Sequence, residues 1–156
     1  MGNRFIFTLA VAVAVTAVAG LAAAEGLTFE TTVPYRVGKE LELGGKVGPV
    51  TVRSVTFSES ESGHVGSTIM GKLRRGDEGL QGVIKLAFAG ENPTKEEWEV
   101  SFVIELLDRD GKTIDRFERS TDFQGEAKTY DTEHAILRYV MPLIHKVKIG
   151  MSAKLD

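Results

Sequence analysis

Between Glu96 and Arg119 the chain reads EEWEVSFVIELLDRDGKTIDRFER, and alternate residues from Trp98 onward are apolar: Trp98, Val100, Phe102, Ile104 and Leu106. Glu97, Glu99, Ser101 and Glu105 fill the positions between, with Val103 the one apolar residue among them. A period of two predicts a long strand with one dry face and one wet face. Asp108-Arg109-Asp110-Gly111 predicts a type I turn whose left-handed position falls on glycine. The return strand carries Ile114 and Phe117 at different parity, which implies a bulge in the hairpin.

The same pattern recurs in shorter runs on both sides. Leu27 to Val33 alternates with threonines and Glu30 until Pro34 marks a break or an edge. Leu41 and Leu43 alternate with Glu40 and Glu42, and Gly44-Gly45 ends that run. Val50 and Val52 share one parity, Val55 and Phe57 the other, so a bulge near Arg53-Ser54 would bring both pairs to one side. Ser58 to Gly63 is polar throughout and reads as a loop. Strands are predicted over Gly66 to Arg75 and Gly82 to Gly90, the second stopped by Asn92-Pro93-Thr94. Thr121 to Asp131 reads as a loop, and Ile136, Tyr139, Val140 and Leu143 fall at helical spacing, predicting one short helix near 132–141. Val147, Ile149, Met151, Ala153 and Leu155 then alternate strictly with polar or small residues in a final strand. Seven or eight strands, mostly antiparallel, predict an all-β, two-sheet, Ig-like sandwich.

Composition changes this picture at the N-terminus. Arg4 precedes 17 uncharged residues, Phe5 to Leu21, and Ala22-Ala23-Ala24 offers a small-residue cleavage site before Glu25. The expectation is a signal peptide over 1–24 and a single domain over 25–156, exported to the periplasm or the extracellular space. The alternative is a retained N-terminal anchor, although 17 residues are few for about 30 Å of hydrocarbon. No cysteine is present, so neither a lipidated cysteine nor a disulfide contributes, and packing must carry the stability. Setting Arg4 aside leaves 18 of the 19 basic residues against 22 acidic ones, a net charge of −4. Nucleic acid is therefore a poor partner, and no integral span is expected after cleavage.

The stretch Gly82 to Phe117 resembles the FxLYD-type domain, an Ig-like module of bacterial exported and envelope proteins. Gly82-Val83 opens a strand, Asn92-Pro93-Thr94 supplies the turn, Val100 to Leu106 the long strand and Asp108 to Gly111 the reversal. Ile104-Glu105-Leu106-Leu107-Asp108 stands in the place of the Phe-x-Leu-Tyr-Asp signature, keeping its Leu and Asp. The resemblance implies a β-sandwich and brings no catalytic set with it.

Candidate chemistry is sparse. Gly66 to Leu73 matches G-x-x-x-x-G-K, but Leu73 replaces the Ser or Thr that a phosphate loop needs for its Mg²⁺. Asp108-x-Asp110-Gly111 fails as an EF-hand, since Leu106 and Phe117 take its first and last ligand positions, which leaves Asp108, Asp110 and Asp115 as a weak surface cation site at most. His64, His134 and His145 form no zinc-binding spacing. No G-x-S-x-G elbow surrounds a serine, and Glu59/Glu61 and Glu96/Glu97 lie in solvated stretches. Trp98, the sole tryptophan, has the parity of Phe102 and is assigned to the core rather than to a sugar platform. No catalytic, cofactor-binding or metal residue is singled out. The expected function is a non-catalytic exported module binding another envelope or extracellular protein, by a sheet face or by strand addition to an edge. The alternative is a small-ligand or carbohydrate binder using the loops Ser58–Gly66 and Thr121–Asp131.

Overall fold

The computed structural model describes residues 27–60, 81–125 and 127–156. Eight strands form: β1 (Leu27–Pro34), β2 (Glu40–Val47), β3 (Val50–Ser60), β4 (Gln81–Glu91), β5 (Trp98–Leu107), β6 (Thr113–Phe123), β7 (Lys128–Leu137) and β8 (Lys146–Leu155). They make two four-stranded antiparallel sheets, ordered β1-β8-β5-β6 and β2-β3-β4-β7. The all-β sandwich expected from the alternation is the observed architecture. The loop expected over Ser58–Gly63 is strand as far as Ser60, the end of β3; its remainder, the segment 1–24 expected as a signal peptide and the strand expected over Gly66–Arg75 lie outside the described residues.

The dry face of β5 fills the centre. Val100, Phe102, Ile104 and Leu106 are fully buried, opposite Val50, Val52, Phe57, Leu86 and Phe88 of the other sheet. Phe102 and Phe88 stack across the two sheets with ring centroids 4.4 Å apart. Each such burial contributes roughly 1.5–3 kcal/mol as an upper bound. Trp98 closes one end of the core, partly buried, with the β2–β3 turn beneath its ring. A Cβ at Gly48 would meet that ring at 2.8 Å, and φ there is +58°, so glycine is required on two counts.

Three local expectations are corrected. The turn that ends β2 is Gly48-Pro49; Gly44-Gly45 is a bulge inside β2, where the register against β3 shifts between Glu42 and Gly45. Thr121–Asp131 is strand at both ends and not a loop throughout, because β6 runs to Phe123 and β7 starts at Lys128. The helix near 132–141 gives way to strand as far as Leu137, followed by a short 3-10 helix over Arg138–Leu143. Both bulges inferred from parity are present, at Arg53 in β3 and at Ile114 in β6, where the partners of Leu106 and Leu107 skip one residue.

The crossing from β4 to β5 is organised by Asn92, which is 2% exposed. Its amide nitrogen donates to the carbonyls of Phe123 (2.7 Å) and Glu96 (2.8 Å), and its Oδ1 accepts from the backbone and hydroxyl of Thr94. One side chain thereby joins the end of β4, the entry to β5 and the end of β6.

Candidate functional site

A sandwich of two open sheets has four edge strands, and each presents unpaired backbone groups that must be hidden, blocked or used. Here the edges are β1 and β6 in one sheet and β2 and β7 in the other.

The β6/β7 side is closed by side chains reaching across the seam. Arg119 of β6 donates through Nε to Thr132 Oγ1 (3.1 Å) and through a terminal nitrogen to the Glu133 carbonyl of β7 (3.0 Å). Lys128 of β7 donates to the Asp122 carbonyl of β6 at 2.6 Å. His134 Nε2 and Asp115 Oδ2 are 2.7 Å apart, and the His134 ring lies flat on Phe117 at a centroid distance of 3.9 Å. The Arg119 guanidinium lies over the Phe117 ring, 5.1 Å from its centroid. The cluster looks like acid–base chemistry by composition, but the Arg119, Lys128 and His134 hydrogen bonds join β6 to β7, and the Thr132 hydroxyl is occupied by Arg119.

The β2 edge is guarded differently. Glu40, Glu42 and Lys46 are exposed along it, and the Gly44-Gly45 bulge breaks its regular spacing. A shallow depression of about 670 Å³ lies over the bulge, where the Ser54 hydroxyl donates to Glu40. A second, of about 380 Å³, is bordered by Glu59, Gly82 and Met141. Neither has an aromatic side chain in its lining, so the sugar-stacking alternative gains nothing from them.

The β1 edge has neither device. Its eight residues pair with β8 in unbroken register from Leu27–Ala153 to Pro34–Lys146. Tyr35 N donates to His145 O at 2.9 Å, and antiparallel alternation then turns the N–H and C=O groups of Thr28, Glu30 and Thr32 away from β8. Pro34 shares that parity and has no N–H to leave unpaired. Among the described residues no strand pairs with this outer side. The single charge on it, Glu30, is held by Lys148 of β8 at 3.2 Å.

That contact belongs to a ladder on the wet face of the β1-β8-β5-β6 sheet. Lys148 also approaches Glu105 (3.9 Å), which Arg116 approaches at 3.7 Å, and Arg116 pairs with Glu118 at 2.8 Å. Toward the other end Lys154 meets Glu99 at 2.6 Å. Hydrogen bonds from Lys154 and Ser120 hold the Glu99 carboxyl below the usual carboxylate range, and the Lys154 ammonium is raised in return. Tyr35 anchors the linker after β1. Its hydroxyl donates to Glu59 at 2.7 Å, and burial, helped by that carboxylate, pushes the phenol above its ordinary value.

The residues singled out from sequence do not converge. Asp108 Oδ1 accepts from the backbone of Asp110 and Lys112 within its own turn, while Asp115 turns to His134. No group of three His, Asp or Glu among the described residues is placed to hold a metal ion. His145 is exposed and His134 lies in the seam; His64 and the Gly66–Leu73 match are outside the described residues. The sequence pattern missed the seam, and it marked the β1 edge only through Pro34, read as a break or an edge.

No helix among the described residues is long and apolar enough to cross a membrane. No protein-family model matches the chain, and neither does any curated protein. A solved structure similar to it is the enzymatically active domain of tailspike protein 4 from bacteriophage CBA120, with 9% identity and a TM-score of 0.26 over 83% of this chain. The chain spans 17% of the length of that structure. The expectation of a non-catalytic chain is set aside on this finding, because the matched structure is described as an enzymatically active domain. A likeness at that score carries no argument for a reaction, and none is assigned.

Proposed function

We propose that this chain is an exported β-sandwich interaction module whose working surface is the outer edge of β1, where a strand of a partner protein adds to the β1-β8-β5-β6 sheet. The observation that carries this reading is the contrast among the four edges. β6 and β7 are laced together, β2 is bulged and charged, and β1 is regular and offers alternating donors and acceptors from Thr28 to Pro34. Backbone bonds of this kind supply affinity in strand addition, while side chains at alternate positions supply selectivity. The leader-like segment 1–24 and the resemblance of Gly82–Phe117 to the FxLYD-type envelope domain support an exported setting.

The test compares the full chain with Thr32→Pro as bait in an envelope extract. Proline at position 32 removes an outward N–H without touching the pairing to β8. The expected result is a reproducibly retained protein, an untagged copy of the chain included, that the Thr32→Pro bait loses. Equal retention by both baits, or no retention by either, overturns the reading.

A further inference from the structure

We propose that the strand added to β1 is β1 of a second copy, paired antiparallel about a two-fold axis through Thr31 to make one continuous eight-stranded sheet. This inference rests on the strand-addition reading above and names its partner.

An antiparallel pairing of a strand with itself sets residues of equal parity opposite one another, so only a few registers exist. In the register centred on Thr31, Glu30 faces Thr32 of the second copy and exchanges both backbone bonds with it. Thr28 N–H reaches the carbonyl of Pro34 of the second copy, the one outward position that has no N–H to match. On the inner side Phe29 meets Val33 of the second copy. Phe29 is partly buried against the core and Val33 is 7% exposed, so the apolar layer continues across the axis. The register centred on Glu30 sets two carboxylates directly opposite, which is unfavourable. Centring on Thr32 moves the missing N–H of Pro34 from the end of the pairing, where it faces Thr28, to the position facing Glu30 beside the axis, and so gives up bonds in the middle of the ladder.

The segment is thus self-complementary in hydrogen bonds, in apolar contact and in charge, since Lys148 of each chain already neutralises its own Glu30. A foreign strand would need no such symmetry. Two-fold contact through one patch is also the commonest way in which identical chains associate.

The absence of native cysteine makes the register directly readable. Thr31 forms a non-hydrogen-bonded pair with its own copy, with Cα atoms about 4.5 Å apart, within the range a disulfide spans. Under a mild oxidant, full-length Thr31→Cys is expected to convert largely to a covalent dimer. Thr28→Cys, opposite Pro34 in this register, should cross-link at least tenfold more slowly. Sedimentation velocity should show the wild-type chain passing from monomer to dimer as concentration rises, and Thr32→Pro remaining monomeric with an unchanged far-ultraviolet spectrum. A wild-type chain that stays monomeric while Thr32→Pro still loses a retained foreign partner overturns self-pairing and leaves strand addition standing. Dimers that survive Thr32→Pro, or equal cross-linking of the two cysteine variants, overturn self-pairing at β1; unchanged partner retention alongside them overturns both.

Discussion

Asn92, almost fully buried, ties together the end of β4, the entry to β5 and the end of β6. Its amide donates to the carbonyls of Phe123 and Glu96, and a methyl group in its place leaves the buried Phe123 carbonyl without that donor. Asn92→Ala is expected to cost about 2–3 kcal/mol, measured as a shift in the denaturant midpoint at unchanged slope. Glu99 governs a smaller effect with a definite sign. Its folded-state pKa lies below the ordinary 4.5, so its contribution is present above that value and is lost as pH falls through the folded pKa. Melting curves of wild type and Glu99→Gln should therefore differ slightly at neutral pH and converge in acid. A gap that persists at pH 2 would refute the ion pair with Lys154 as its cause.

At the scale of elements, the two sides of the sandwich use opposite solutions to one problem. β6 and β7 point polar side chains into the gap between the sheets, and Arg119 is the main strap because it holds a hydroxyl and a backbone carbonyl of β7 at once. Arg119→Ala should destabilise the domain by about 1–2 kcal/mol. It should also raise amide hydrogen exchange along β7 more than along β3, which lies inside its sheet. Uniform acceleration across both strands would mean that Arg119 acts only on global stability. The seam also explains why these strands were illegible in sequence. Thr132 and His134 take inward positions that hydrophobic residues would normally mark, so the period of two is hidden and Thr121–Asp131 imitates a loop. With those positions masked, Ile136, Tyr139, Val140 and Leu143 alone gave a helical spacing.

For the whole molecule, one hydrophobic cluster spans both sheets, from Val33 and Met151 at the β1/β8 side to Phe117 and Ile136 at the seam. Among the described residues the β6/β7 side is closed and the β1 edge is left regular, which gives the sandwich a direction. Self-pairing there would lengthen the β1-β8-β5-β6 sheet and its charged ladder into a single face, with Glu30, Lys148, Glu105 and Arg116 repeated on either side of the axis.

The sequence by itself determined the all-β class, the dry face from Trp98 to Leu106, the reversal at Gly111 and both parity-breaking bulges. Each follows from neighbours a few residues apart, where alternation and turn geometry act. Only the tertiary structure decided that β8 lies between β1 and β5, that Asn92 binds the end of β6 thirty-one residues away, and that Arg119 seals β7. Strand order decides which edge is open, and it depends on pairings between distant segments that no local period records. Pro34 was visible as an edge residue from the start; what it borders became visible only when seven other strands had found their places.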